Sequence, residues 1–367
     1  MTSIRIPAAA DFHVHLRDGT MMETVVPTIR QGGASLAYVM PNLVPPISSV
    51  QQALDYHSRL QALDPSVTFL MTLYLSPEIT PEVIAEAAAT GKIAGVKSYP
   101  KGVTTNSDAG VVDYASFYPV FAAMEEHDLV LNLHGECPSN STTSLLNDAE
   151  TFQPATSSTT TILNAEESFL PTLLDLHSRF PKLRIVLEHC TTAAAIAAVK
   201  QCGPTVAATI TAHHLYLTID NVAGNPHCFC KPVAKLPSDR AALMAAATSG
   251  DPKFFLGTDS APHPKNKKIG TANAAAGVFT QPYAVSYIAT AFDRVGKMDA
   301  VRAFVAEFGR AFYKTVEKGW ESAEDVTKDA IELKKEPGVK VVDEFGQGEG
   351  VVVPFMAGET VWSVTWL

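Results

Sequence analysis

Six side chains that can serve a metal stand at the ends of short apolar runs. His13 and His15 lie in Asp11-Phe12-His13-Val14-His15-Leu16-Arg17-Asp18-Gly19. On a β-strand, residues two apart point to one face. The two imidazoles then converge on one point, and Phe12, Val14 and Leu16 are expected to face the other way. The remaining four are Lys97 in GVKSYP, His134 in LNLHGE, His189 in IVLEHC and Asp259 in FFLGTDSAPH. Imidazole and carboxylate are the usual zinc ligands of a hydrolase. A single histidine at a strand end reads as a satisfied polar residue. His-x-His, Lys, His, His and Asp, each at a strand end and in that order, read as one metal centre.

Lys97 is the odd member, because an ammonium ion has no lone pair and repels a cation. A lysine at a barrel rim commonly snorkels to water. Among metal ligands a second reading opens. Desolvation lowers the amine pKa, and the free amine can take up carbon dioxide. The carbamate so formed has two oxygens and can bridge two metals. His227-Cys228-Phe229-Cys230 resembles half of a zinc knuckle but has no second half, so it is not read as a metal site.

These residues need a scaffold that brings strand ends together. Strand-like runs end near His15, Asn42, Tyr74, Lys97, His134, His189, His213 and Asp259. Helical patterns fall between them, around Gln51–Leu63, Pro81–Thr90, Tyr114–His127, Ser168–Phe180, Thr192–Gln201 and Asp239–Thr248. Pro81 suits a first helical turn, with Thr80 as its N-cap. Strands alternating with helices form parallel β/α units. Eight units close into a (β/α)8 TIM barrel of roughly 250 residues, whose chemistry lies at the C-terminal strand ends. The spacing predicts an α/β fold of this type with a metal site at those ends. Residues 1–367 are read as a single barrel domain. Ser139–Thr161, rich in Ser and Thr, reads as a long loop after the fifth barrel strand, packed by Leu145 and Leu146. Residues after about Ser322 read as an extension packed on the barrel, strand-like at its end.

The composition excludes several classes. Of 367 residues, 46% are hydrophobic and 18% charged, which allows a large core and argues against general disorder. The net charge of −10 and the lack of any long basic stripe disfavour nucleic-acid binding. No apolar run reaches the roughly 18 residues of a membrane helix. No secretory signal pattern is seen. Five scattered cysteines read as reduced thiols, and the expectation is a cytoplasmic protein.

The strings DFHVHLRDG, YVMPNLVPP, GVKSYPKGVTTNS, LNLHGE, LEHCTT, CKPVAK, GTDSAPHPK and AAAGVF run from residue 11 to about 279. Taken together they resemble the dihydroorotase family of the amidohydrolase superfamily, in its shorter monofunctional bacterial and fungal type. The resemblance implies two zinc ions per chain, bridged by carboxylated Lys97 and a hydroxide. It implies that His13, His15 and Asp259 bind the more buried ion and that His134 and His189 bind the other. Asp259 would also be the general base and acid. Arg17, Asn42, His263 and the backbone at Ala276 would hold a substrate carboxylate, as suits the bidentate fork of an arginine. Thr104 and Thr105 would lie on a loop that closes over the substrate. The backbone at Lys231 would read the ring amide edge, although bacterial members carry an apolar residue there.

The reaction implied is the reversible cyclisation of N-carbamoyl-L-aspartate to L-dihydroorotate plus water, the third step of pyrimidine synthesis, with a homodimer as the expected assembly. Two alternatives stand beside it. One is a hydantoinase- or allantoinase-like enzyme, against which the carboxylate clamp of Arg17, Asn42 and His263 argues. The other is a non-catalytic scaffold on the same barrel, against which the complete set of six ligand positions argues.

Overall fold

A computed structural model describes residues 3–139, 160–270 and 273–367. The Ser/Thr-rich stretch Ser139–Thr161, with Leu145 and Leu146, lies almost wholly outside the described residues. In chain order the described strands are β1 Ser3–Pro7, β2 Ala9–Val14, β3 Ala34–Val39, β4 Thr68–Tyr74, β5 Ile93–Ser98, β6 Val130–Leu133, β7 Ile185–Leu187, β8 Val206–Ile210, β9 Phe254–Leu256, β10 Ala330–Lys340 and β11 Thr360–Trp366.

Strands β2 to β9 pair in sequence order, each parallel to the next. All are buried on both faces apart from the first residue of β4, which is why they read as continuous apolar runs. The ring closes beyond the named strands, through a parallel bridge between Val14 and Ser260. His15 N donates to Ser260 O at 3.0 Å and Asp259 N donates to His13 O at 2.8 Å. The seam of the barrel is therefore sewn by backbone of the candidate site itself. This is the (β/α)8 architecture expected.

One interior layer takes side chains from every barrel strand. It includes Phe12, Leu36, Tyr38, Leu70, Ala94, Val130, Val186, Ala207 and Phe255. Tyr313, from the helix Phe308–Tyr313, enters the N-terminal mouth and stacks on Phe12 at 4.6 Å between ring centroids. This corrects the expectation for Phe12. Val14 and Leu16 do face the outer core, but Phe12 faces the interior together with the histidines. The register of β2 against β3 shifts between Asp11 and Val14, so an extra residue sits there. A bulge of this kind resets the alternation and re-aims the side chains that follow it. A similar shift in β5 puts Gly95 on the interior, where an added Cβ would lie 2.2 Å from Tyr38 Oη.

The helices lie close to their expected places. Thr80 caps Pro81–Ala89 by accepting from Val83 N, and Pro81 occupies the first turn. Ser49 and Gln52 form a capping box for Val50–Leu63. The helix expected at Ser168–Phe180 runs instead over Ala165–Arg179, with Pro171 inside it. A tertiary contact extends it, since the buried Glu166 carboxylate accepts from Thr191 N at 2.8 Å. The strand-like tail is β11. It pairs with β10, which pairs with β1, in an antiparallel sheet. Trp366 of β11 donates to Arg30 O at 2.8 Å, and the Arg30 guanidinium lies 3.3 Å from its ring centre. β1 was not foreseen, because a five-residue strand with one buried side chain shows no clear period until its partner is present.

Asp128 ties the N-terminal mouth together. It accepts from Arg184 Nε at 2.7 Å and pairs with Lys314 and Lys318 at 3.2 and 3.0 Å. Partial burial pushes its carboxyl up, but the three cations outweigh this and hold it below the ordinary range. A depressed folded pKa stabilises above the unfolded value of about 3.9 and is lost as pH falls through the folded value. Allowing for solvent screening, Asp128→Asn is expected to cost about 1–2 kcal/mol at neutral pH. The cost should fade as the buffer is taken below about pH 3. Urea unfolding of both proteins at the two pH values checks this, and a cost independent of pH would contradict it.

Candidate metal and substrate site

His13 Nε2, His15 Nε2 and Asp259 Oδ1 meet at the C-terminal end of the barrel. Asp259 Oδ1 is 3.1 Å from His15 Nε2 and 3.5 Å from His13 Nε2. The three form a ligand set whose atoms lie within 4.8 Å of one another. The imidazoles continue as a chain of close rings, His13 to His189 at 4.9 Å and His189 to His134 at 4.7 Å. Arg17, His189 and Asp259 have left-handed backbones with φ of 61°, 41° and 45°. Such conformations cost about 1–3 kcal/mol each and persist where surrounding structure holds them.

Hydrogen bonds on the far side of three of the rings identify which nitrogen faces the site. His13 Nδ1 is 2.7 Å from Glu188 Oε2, and His15 Nδ1 is 2.7 Å from Asn42 Oδ1. His134 Nε2 is 2.8 Å from Glu136 Oε2. With these nitrogens donating, the lone pairs of His13 Nε2, His15 Nε2 and His134 Nδ1 are left for the centre. This is the usual support of a metal-ligating histidine. Burial lowers all four histidine pKa values, and Lys97 adds to the effect at His13, His134 and His189. Burial raises Asp259, but the hydrogen bond from His15 and the nearby imidazoles overcome it and bring the carboxyl to about 2. With a cation in place of the proton between His15 and Asp259, the site offers neutral imidazoles and an ionised carboxylate, the protonation states a metal requires.

The fit to a cation is visible in atoms that lack partners. His15 Nε2 lies 3.1 Å from Asp259 Oδ1, an arrangement that needs a proton or a cation between them. His13 Nε2, His189 Nδ1 and Lys97 Nζ are buried with no hydrogen-bond partner. Burial brings the Lys97 pKa down to about 8, against the opposing pull of Glu188 and Asp259. An unpaired buried ammonium is costly, whereas a neutral amine is reachable near neutral pH. A second set, His213, His214 and Cys230, also lies within 4.8 Å. There Cys230 meets the two histidines of the β8–β9 connection and not the His227-Cys228 string beside it.

Above the ligands lies a small open cleft. His15, Arg17, Asn42, Thr104, Thr105, His134, His189, Lys231, Asp259 and Ala276 all line it, so expected ligand and substrate residues share one cleft. His13 and Lys97 lie deeper. His263 sits behind Arg17, its Nε2 being 3.1 Å from Arg17 Nη2 and 2.9 Å from Ala276 O. Arg17 Nε donates to Pro262 O at 2.9 Å, which fixes the plane of the guanidinium. Asn42 holds His15 and also donates to Thr105 O at 3.2 Å, linking the ligand shell to the loop above it.

A parallel barrel with His, Asp and Lys side chains converging at its C-terminal mouth defines a metal-dependent amidohydrolase. The amidohydrolase family model matches residues 42–247. A probable dihydroorotase of Schizosaccharomyces pombe is 53% identical, with 99% of each chain covered. The dihydroorotase of Saccharomyces cerevisiae is 46% identical, covering 99% of this chain and 98% of that one. A crystal structure of dihydroorotase from Saccharomyces cerevisiae in complex with 5-fluoroorotic acid superimposes with a TM-score of 0.90 at 45% identity, covering 100% of this chain and 99% of that chain. The chain belongs to the dihydroorotase family, and its activity is that of a cyclic amidohydrolase of this type. Among the described residues no helix is long and apolar enough to cross a membrane.

Sequence reading missed the layer beneath the ligands. Glu188 Oε1 accepts from Asn132 Nδ2 at 2.6 Å, and Glu188 Oε2 accepts from Thr209 Oγ1 at 2.6 Å. Asn132 in turn accepts from Tyr38 Oη and donates to Tyr313 Oη, both at 2.7 Å. Asn132 and Glu136 stand two residues either side of His134, so a period of two would have found Asn132. Glu188 adjoins His189 and gives no such signal. Burial raises the Glu188 carboxyl to about 7, with Lys97, Thr209 and Asn132 pulling it down. Glu188→Gln keeps the shape but weakens the hold on His13 Nδ1. Metal affinity, measured by chelator competition, is expected to fall roughly 10–100-fold. Unchanged affinity would show that Glu188 does not orient His13.

Proposed function

We propose that the site binds two zinc ions bridged by carboxylated Lys97 and interconverts L-dihydroorotate and N-carbamoyl-L-aspartate. The convergence of His13, His15 and Asp259 above the unpartnered amine of Lys97, under a cavity lined by Arg17 and Asn42, carries this reading. His13, His15 and Asp259 would hold one ion, His134 and His189 the other, and the Lys97 carbamate would reach both. Zinc in such a setting polarises an amide carbonyl and lowers the pKa of water.

The protein's own groups then divide the remaining work. Arg17, with Nε engaged by Pro262 O, presents its outer N–H groups to the α-carboxylate, and Asn42, His263 and the Ala276 backbone complete the clamp. Asp259, ionised in the resting site, accepts a proton from the attacking water and returns it to the ring nitrogen as the amide bond breaks. Thr104 and Thr105 close over the substrate and exclude water. The Lys231 backbone faces the ring amide edge. Ring closure uses the same groups in reverse. A hydantoin-specific enzyme would have no use for a carboxylate clamp. The five free cysteines agree with a reducing, cytoplasmic setting.

Two variants test the assignment. Lys97→Ala should lose most of about two zinc ions per chain together with activity, by elemental analysis and assay. Full metal content in this variant would remove the bridge. Arg17→Ala should keep its metal and lose at least about tenfold in kcat/KM for dihydroorotate, since truncating one partner of a desolvated charge pair costs about 2–5 kcal/mol. Unchanged kcat/KM, or an equal loss with a neutral hydantoin, would remove the carboxylate clamp.

A further inference from the structure

The loop over the cavity is held at two opposite edges. On the side of β3, Asn42 Nδ2 donates to Thr105 O, and Asn106 Nδ2 donates back to Asn42 O at 2.9 Å. On the opposite side, from the connection between β8 and β9, Lys231 Nζ donates to Val103 O at 2.7 Å. That carbonyl immediately precedes Thr104 and Thr105. The side chain of Lys231 thus reaches across the mouth and grips the loop from the wall facing Asn42. Its own backbone is anchored between buried Cys230 and buried Pro232 and Val233, so only the side chain is free to swing. Among the described residues no carboxylate forms an ion pair with this ammonium. Val103 O is its hydrogen-bond partner, and the cavity is its other neighbour.

The loop has little else on that edge. On the β3 and β4 side Tyr74 Oη also donates to Asn106 O at 3.3 Å. The rest of its order is internal: Gly102 N donates to Ser107 O at 3.0 Å, and Ser107 Oγ bridges Thr104 N and O at 3.0 and 2.6 Å. Gly102, with φ of 72°, marks one end of this turn, where a side chain would be strained. A compact turn with a permissive end moves as a unit, and what sets its position is the pair of clasps at its edges.

We infer that the Lys231 side chain is a latch that holds the loop bearing Thr104 and Thr105 in its closed position, which makes Lys231 a positioning residue for the reaction. The inference rests on the dihydroorotase reading for its kinetic consequence and on geometry alone for the latch. A charged donor on a backbone carbonyl is strong enough to bias a two-state loop by roughly tenfold or more. An apolar residue here would leave only the edge held by Asn42 and Tyr74 to hold the loop. Substrate would then meet a site that must first be closed, and its apparent affinity falls by the closed fraction.

The test uses the full-length, metal-loaded protein with Lys231→Met and Lys231→Arg. Hydrogen exchange of peptides spanning 101–110, without substrate, reads the loop directly. Lys231→Met should speed it about tenfold, leaving metal content and Tm unchanged. KM for dihydroorotate should rise about tenfold while kcat stays within about threefold. Lys231→Arg, which keeps a charged donor of similar reach, should restore both. Wild-type exchange in Lys231→Met overturns the latch. A raised KM with unaltered exchange also overturns it, because Lys231 would then contact the substrate directly. If wild-type protein turns over no dihydroorotate but Lys231→Met still loosens the loop, the latch stands and the functional reading fails.

Discussion

A carboxylic acid buried on the barrel axis is the constraint around which this site is built. Glu188 is 1% exposed and has no access to water. Such a group is tolerable only with its oxygens fully engaged. His13, Asn132 and Thr209 engage them, and Asn132 passes the requirement on to Tyr38 and Tyr313. One chain of hydrogen bonds thus runs from the helix that plugs the N-terminal mouth to a ligand at the C-terminal end. A fully satisfied buried network is rigid, because any shift leaves a polar atom unpaired. Rigidity is what a metal site needs, since ligands must be fixed to within fractions of an ångström before the ion arrives.

The same economy appears at the barrel seam. β9 and β2 are joined by bonds that involve His13, His15, Asp259 and Ser260. Closing the fold and bringing His13, His15 and Asp259 together are one event. Left-handed backbones at Arg17, His189 and Asp259 show the strain this imposes, and the burial of the surrounding layers offsets it. The substrate-side residues are kept apart from this rigid base. Arg17 and Asn42 reach up from the ends of β2 and β3, and the loop above is held by contacts to side chains and few backbone bonds. Asn42 belongs to both regions, orienting His15 through Oδ1 and meeting the loop through Nδ2.

The legible parts of the molecule were those governed by local rules. The strand ends at His15, Lys97, His134, His189 and Asp259 were marked by apolar runs that stop at a polar residue, and the structure puts each at the C-terminal mouth. The helix starts at Thr80 and Thr192 were visible because a cap is a three-residue device. Phe12 was misjudged because a bulge inserts one residue and resets a period of two. The start of the helix at Ala165 was misjudged because Glu166 is held by Thr191, a contact no local pattern encodes. β1 was invisible for the same reason, since its partner β10 lies more than 300 residues away.

The sequence by itself determined which side chains could form a metal centre, that eight parallel strands would carry them, and which family the chain resembles. These follow from residue type and spacing, which local sterics and burial translate directly into structure. Only the tertiary structure decided which nitrogen of His13, His15 and His134 faces the centre, that Glu188 and Asn132 support it, and that Lys231 reaches the loop from the far wall. Apart from the bond between His134 and Glu136, those facts depend on hydrogen bonds between residues dozens to hundreds of positions apart. Their partners are chosen by the closure of the barrel, and closure is a property of the whole chain.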